Sequence, residues 1–199
     1  MSKFIIRRAK AEDGAALCAI YAPYIMDTTI TFEYEVPTDA AFSDRIRETA
    51  AQFPYLVCER DGEIIGYAYA HRIRERAAYD WDAELSVYLK QGTHGRGIGT
   101  VLLACLIELL EMQGLRHLYS CVTMPNPRSV GMQHRLGFED AGVWHKSGWK
   151  FDAWHDVAWF EKHVGGGEPK PVVPFPELGG DNIQKTLNIY TEKLNLEDK

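Results

Sequence analysis

The sequence predicts one mixed α/β sheet with helices on both of its faces. Three observations predict it. Strand-like runs and helical stripes alternate in the order βααββ, β, α, β, α, ββ; Asp61-Gly62 stands between two apolar runs as a hairpin turn; and a glycine-rich turn joins one strand to the most strongly patterned helix. With 199 residues, 46% of them hydrophobic and 25% charged, the composition suits a single globular domain plus a tail.

Residues 4–8 form a short β-like run. In residues 13–25, Leu17, Ile20, Tyr21, Tyr24 and Ile25 share one helical stripe. A second amphipathic stretch, 39–51, stops before Pro54, and the runs 55–59 and 64–70 flank the Asp61-Gly62 turn as an antiparallel pair. Residues 84–89 alternate, placing Glu84, Ser86 and Tyr88 on one face and Leu85, Val87 and Leu89 on the other. Ile98, Val101, Leu102, Cys105, Leu109 and Met112 then recur at helical spacing, and Gly114 stands where a C-terminal cap belongs.

Residues 118–122 are the next strand. Asn126-Pro127 supplies an N-cap residue followed by proline at the first helical position, opening a short helix that closes at Gly137. The aromatic-rich runs 143–149 and 155–160 complete the sheet. Beyond Gly165 the character changes to a glycine triplet and a proline-dotted linker. A weakly amphipathic stretch, 183–196, follows, and this tail reads as an appendage with a short helix.

A formal net charge of −6 gives no electrostatic reason to expect nucleic acid as a partner. Cys18, Cys58, Cys105 and Cys121 make no C-x-x-C pair and no zinc-finger spacing, so buried free thiols are expected and no metal. Met1-Ser2-Lys3-Phe4 lacks a long apolar segment and no run of 18 apolar residues occurs. The expectation is a soluble cytoplasmic protein with no membrane partner.

The sharpest chemical feature is His94-Gly95-Arg96-Gly97-Ile98-Gly99, between a strand and a helix. Glycines let a phosphate approach the backbone closely, and the first-turn N–H groups meet it with the positive end of the helix dipole. Arg96 could add charge. The same glycines could also serve a plain connection. There is no G-K-[ST] ending for a P-loop, and the spacing is G-x-G-x-G rather than the G-x-G-x-x-G of a dinucleotide fold. A phosphate-bearing ligand of another kind is left.

At this point the chain resembles a known family. Residues 84–89, the Gly95–Gly99 turn, Asn126-Pro127-Arg128-Ser129 and Leu136-Gly137-Phe138 together resemble the acyl-CoA core of the GNAT N-acetyltransferases. Within that superfamily, Thr31-Phe32-Glu33, Ala78-Tyr79-Asp80-Trp81 and Trp154-His155-Asp156-Val157 are similar to the phosphinothricin and methionine sulfoximine acetyltransferases. The resemblance spans residues 4–164, and several motifs in one order are far more specific than any one of them.

The resemblance implies the GNAT fold, its sheet splayed between the fourth and fifth strands, over residues 1–164, with 165–199 as linker and tail. It implies acetyl-CoA as co-substrate, pantetheine pairing along Val87, Tyr88 and Leu89, and pyrophosphate on the backbone of His94, Gly95, Arg96, Gly97, Ile98 and Gly99. Asn126 and Ser129 would contact the CoA arm. The family usually carries glutamine or arginine where His94 stands, so backbone contacts are the ones expected there.

Acetyl transfer needs a neutral amine and a way to protonate the departing thiolate. Glu84 is the expected base. His134 matches a family histidine and joins Tyr119 and Tyr88 as a candidate for protonating the thiolate. Arg74, Arg76 and Tyr79 resemble the segment that holds the substrate's acidic end, a role suited to the planar guanidinium fork. Phe32, with Trp144, Trp149 and Trp154, would wall the pocket or pack a homodimer interface. His155 and Asp156 are neighbours on a strand, point to opposite faces, and take structural roles.

The expected reaction is acetyl transfer from acetyl-CoA to the amino group of a small amino acid or analogue. Two other readings stay open: a noncatalytic acyl-CoA-binding sensor, and a protein or peptide N-acetyltransferase.

Overall fold

The computed structural model describes residues 3–197. Among them, seven strands form one sheet in the order β1-β2-β3-β4-β5-β7-β6. They are β1 (Phe4–Arg8), β2 (Tyr55–Arg60), β3 (Glu63–Arg72), β4 (Asp82–Leu89), β5 (His117–Thr123), β6 (Glu139–Lys150) and β7 (Ala153–His163). Asp61 and Gly62 both adopt positive φ, 52° and 86°, making the tight β2–β3 turn that the dipeptide predicted.

The strands alternate inward residues between two helical layers. Helices α1 (Gly14–Asp27) and α2 (Asp39–Ala50) cover one face, packing Leu17, Tyr21, Tyr24, Phe42 and Ile46 onto Tyr55, Val57 and Tyr67. Helix α3 (Ile98–Gln113) covers the other face, where Leu56 and Cys58, which alternate with Tyr55 and Val57 along β2, and Leu85 of β4 join Leu102, Cys105 and Leu106. Cys18, Cys58 and Cys105 are buried and free, and Cys121 is free and exposed.

One strand junction breaks the pattern. β4 and β5 are parallel, and their register runs only through Asp82↔His117, Ala83↔Leu118 and Glu84↔Tyr119. Past Glu84 the two strands diverge, so residues 85–89 and 120–123 lose each other as partners. β5 keeps its other neighbour throughout, from His117↔His163 to Thr123↔Val157. The result is a V-shaped opening in the sheet.

The tail is not a loose appendage. Helix α5 (Gly180–Glu197) packs on α3 and β1, and Phe175, Ile183, Leu187 and Leu194, each at most 2% exposed, belong to the same core cluster as α3. The weak amphipathic signal of 183–196 concealed this because its polar residues also face inward. Asn195 bonds both backbone groups of Phe4, accepting its N–H at 2.9 Å and donating to its carbonyl at 3.0 Å, and Thr191 Oγ1 accepts the Ile6 N–H at 2.9 Å. Side chains of α5 thereby satisfy the open edge of β1.

Candidate active site

A cleft of about 1090 Å³ opens at the C-terminal ends of β4 and β5, where the strands part. The turn before α3 forms one wall. Gly95 and Gly97 stand at φ 87° and 75°, a left-handed geometry that glycine adopts without strain and that brings the chain round to open the helix. The first intrahelical bond runs from the Val101 N–H to the Gly97 carbonyl, 3.0 Å, so the N–H groups of Ile98, Gly99 and Thr100 precede the helical ladder, and all three residues line the cleft.

The opposite wall is a second helix N-terminus. Helix α4 (Pro127–Arg135) is capped by Asn126, whose Oδ1 accepts the Ser129 N–H at 3.1 Å, and Pro127 at the first position has no N–H to leave unpaired. Met132 of α4 lies over the first turn of α3, where a Cβ at Gly99 would stand 3.4 Å from its Sδ, an ordinary packing distance. Arg128 and Arg135 also line the cleft. Two positive helix ends and two guanidinium groups therefore face one cavity.

Val87 and Leu89 form the floor. The backbone of Leu89 is already engaged: the Tyr24 hydroxyl donates to its carbonyl at 2.6 Å and lies 3.4 Å from its N–H. The same hydroxyl is 2.9 Å from His94 Nε2. Tyr24 thus ties α1 to the end of β4 and to the glycine turn at once. Burial, with the charge of Arg128 nearby, pushes the His94 imidazole below its usual range and keeps it neutral.

Between the cleft and Glu84 lies a narrower cavity of about 60 Å³, lined by Ser86, Val87 and Tyr88 on one strand and Cys121 and Thr123 on the other. Glu84 stands at the vertex of the V. Cys121 Sγ donates to its Oε1 at 3.1 Å, and crowding by protein atoms together with that carboxylate pushes the thiol upward, so the thiol stays an S–H donor. Burial likewise holds the Tyr88 hydroxyl well above its usual range, in edge contacts with Tyr21 and Tyr24.

The expected residues thus divide. Val87, Leu89, His94, Gly95, Gly97, Ile98, Gly99, Asn126 and Ser129 meet around the cleft. Tyr88 borders the narrow cavity, and Arg96 lies on the turn without lining the cleft. His134 turns away from the cleft, 3.2 Å from Asp140 Oδ2 and edge-on to Phe160. Arg74, Arg76 and Tyr79 are exposed on the β3–β4 loop, which an Arg72–Asp80 ion pair fastens ahead of β4. Phe32 stacks over His155 and presses on Gly148. His155 and Asp156 separate as alternation requires, bonding the Lys150 carbonyl and His145 respectively.

Sequence reasoning passed over Tyr24, Cys121, Arg128 and Arg135. A signal existed for the arginines, since Arg128, Met132 and Arg135 sit at i, i+4 and i+7, one face of α4. None existed for Tyr24 and Cys121, whose partners lie 65 and 37 residues away.

Comparison with known proteins agrees with this geometry. Residues 6–159 match the family described as "Acetyltransferase (GNAT) domain". The chain is 33% identical over 174 residues to a phosphinothricin N-acetyltransferase of Streptomyces viridochromogenes, covering 87% of this chain and 95% of that protein. It is 33% identical over 162 residues to an L-methionine sulfoximine/L-methionine sulfone acetyltransferase of Pseudomonas aeruginosa, covering 80% and 94%. The crystal structure of a GNAT-superfamily phosphinothricin acetyltransferase from Sinorhizobium meliloti in complex with AcCoA superposes with a TM-score of 0.82 at 30% identity, over 89% of this chain and all of that one. With a split sheet, two helix N-termini on one cleft and these relatives, the chain belongs to the GNAT family of acetyltransferases.

Proposed function

We propose that the enzyme transfers the acetyl group of acetyl-CoA to the amino group of a small amino acid or amino-acid analogue, of the phosphinothricin and methionine sulfoximine type. The observation that carries this reading is the position of Glu84 at the vertex of the β4–β5 opening, on the face opposite the cleft that suits the cofactor.

The cleft fits acetyl-CoA in size and in charge: first-turn N–H groups of α3, the N-terminus of α4, Arg128 and Arg135 are suited to its phosphates. Bound there, acetyl-CoA supplies an activated thioester. The residues of this chain do the rest. Val87 offers a strand edge in the opening, while Leu89, engaged by Tyr24, fixes its end. Glu84 takes the proton of the incoming ammonium at Oε2, because Oε1 already accepts from Cys121. Tyr88, held protonated beside the opening, is placed to return a proton to the departing sulfur. Arg74, Arg76 and Tyr79, on the loop entering β4, would hold the substrate's acidic end, with Phe32 on the adjoining wall. His134 is left with a supporting role in α4.

We assign to the same reading a homodimer, supported by the exposed Trp144, Trp149, Phe151 and Trp154 on the β6–β7 hairpin, and a cytoplasmic location, supported by four free thiols. Among the described residues no helix is long and apolar enough to cross a membrane, and no cluster of three metal-ligating side chains occurs.

A CoA-release assay across free amino acids, methionine sulfoximine, phosphinothricin, polyamines and a peptide tests the reading, run with chelator present. Turnover should be greatest with the free amino acids and analogues and indifferent to chelator. Preference for the peptide would favour a protein acetyltransferase. Acetyl-CoA binding without turnover of any amine would favour a sensor.

A further inference from the structure

A further cavity lies apart from both the cleft and the narrow cavity beside Glu84, among the side chains between the sheet and α2. It encloses about 160 Å³ beneath α2. Its floor is made of Tyr55, Tyr67 and Tyr69, whose rings lie 14° to 24° from parallel. Tyr21 and Phe42 close one end. Arg45, exposed, and Thr49, His71 and the outer ring Tyr69, each half-buried, are its more exposed lining residues and mark the mouth.

The mouth adjoins the reaction centre. His71 is the register partner of Glu84, and Tyr69 that of Ser86. Adjacent strands lie about 4.8 Å apart, a distance that an unbranched side chain of four heavy atoms covers. An amine held at Glu84 therefore has this cavity within reach of its own side chain. A volume near 150 Å³ accommodates a benzene ring, so the cavity takes about six heavy atoms.

Its walls carry no unpaired charge. Arg45 is bound by both oxygens of Glu33, at 2.8 and 3.0 Å, and the Tyr21 hydroxyl bonds Thr31 at 2.6 Å and Glu33 at 3.1 Å. Burial holds the hydroxyls of Tyr55, Tyr67 and Tyr69 above their usual range, so they remain neutral O–H groups. An anionic side chain would have to draw Arg45 from Glu33 or stay unpaired beside the Glu33 carboxylate, and a cationic one would meet Arg45. A neutral chain loses nothing there, and the phenolic O–H groups can serve a neutral acceptor such as a sulfone oxygen.

We propose that this tyrosine-floored cavity receives the substrate's side chain and selects neutral, unbranched side chains of about four to six heavy atoms, of the thioether, sulfone or alkyl kind. The proposal rests on the amino-acid acetyltransferase reading above and sharpens it, because it ranks methionine-type side chains over the anionic phosphinate of phosphinothricin.

The test is kcat/KM for L-norleucine, L-methionine sulfone, L-glutamate, phosphinothricin and L-alanine with the wild type, Thr49→Phe and Thr49→Ser. The wild type should favour norleucine and the sulfone over glutamate and phosphinothricin by at least tenfold. Thr49→Phe, which pushes a ring into the mouth, should lower the norleucine-to-alanine ratio at least tenfold, and Thr49→Ser should leave that ratio within twofold. If Thr49→Phe fails to fold, Phe42→Leu, which opens the end wall, should shift the optimum to 2-aminoheptanoate. Preference for glutamate or phosphinothricin, or side-chain ratios unchanged in folded variants, overturns the proposal. Wild type that acetylates no amine overturns the enzyme reading instead. Calorimetry of L-norleucine with the acetyl-CoA-saturated protein then still decides the cavity, through a tenfold weaker Kd in Thr49→Phe or an unchanged one.

Discussion

A carboxylate on a strand is ordinarily hydrated and inert, and position is what would give Glu84 the role of base proposed for it. It occupies the last residue pair before β4 and β5 part, with one oxygen bonded by the Cys121 thiol. Glu84→Gln keeps size and shape but cannot take a proton at neutral pH. Acetyl-CoA affinity by calorimetry should be unchanged, while kcat/KM at pH 7 should fall by about a hundred- to ten-thousandfold, the usual worth of general-base assistance. Activity should recover partly toward pH 9, because more of the amine then arrives already deprotonated. Tyr24 offers a second test. Tyr24→Phe deletes one hydroxyl that reaches Leu89 and His94, and with the worth of a single hydrogen bond, about 0.5–1.5 kcal/mol, passed on to the cleft, it should weaken acetyl-CoA binding by roughly two- to tenfold without abolishing turnover. Glu84 was legible in the sequence through alternation and family resemblance. Tyr24 and Cys121 were not, because a hydroxyl or thiol reveals its role only through a partner that folding brings near.

At the scale of elements, the helices and strands were legible because each carries a local signal: a stripe, an alternation, an Asp-Gly turn, an Asn-Pro start. The glycine turn was the strongest of these, and its geometry gives the reason. Gly97 caps α3 in the left-handed region at φ 75°, directly against the cleft. Gly97→Val places a β-branched residue where it is disfavoured by about 1–2 kcal/mol and sets two methyl groups beside the first-turn N–H groups. Acetyl-CoA affinity should fall at least tenfold, with circular dichroism retaining the native spectrum and the melt shifting down by a few degrees. Unchanged affinity would reduce the turn to a connector. The loops were less legible for a matching reason: Arg74, Arg76 and Phe32 sit on segments without periodicity, so their chemistry can be named from sequence while their direction cannot.

At the scale of the whole molecule, the tail is where local pattern and tertiary structure diverge most. Glycines and prolines at 165–176 have the composition of a linker, yet the chain they carry returns to the core. Phe175, Ile183, Leu187 and Leu194 are buried with α3, Tyr190 and Thr186 donate to the Glu108 carboxylate at 2.9 and 3.1 Å, and Asn195 and Thr191 cover the β1 edge. Truncation after Val164 would expose the outer side of α3, leave a buried-side carboxylate without its donors and open an unpaired strand edge, each a route to instability or association. The truncated protein should melt far below the full chain or precipitate, and a truncation that melts within a few degrees of the full chain would make the tail dispensable. A point substitution separates packing from mere length. Leu187→Ala, at a site 1% exposed, should cost about 2–5 kcal/mol, the range for a buried leucine. At roughly 2–4 °C per kcal/mol for a chain of this size, that is a fall in Tm of about 4–20 °C. Ile189, 49% exposed on the same helix, supplies the control, since Ile189→Ala at such a surface site should stay within about 0.5 kcal/mol of wild type. Equal melting of the two variants would mean that α5 docks too weakly to belong to the core, whereas the expected gap between them makes the C-terminal helix part of the unit that holds β1, and through the sheet β4, in place.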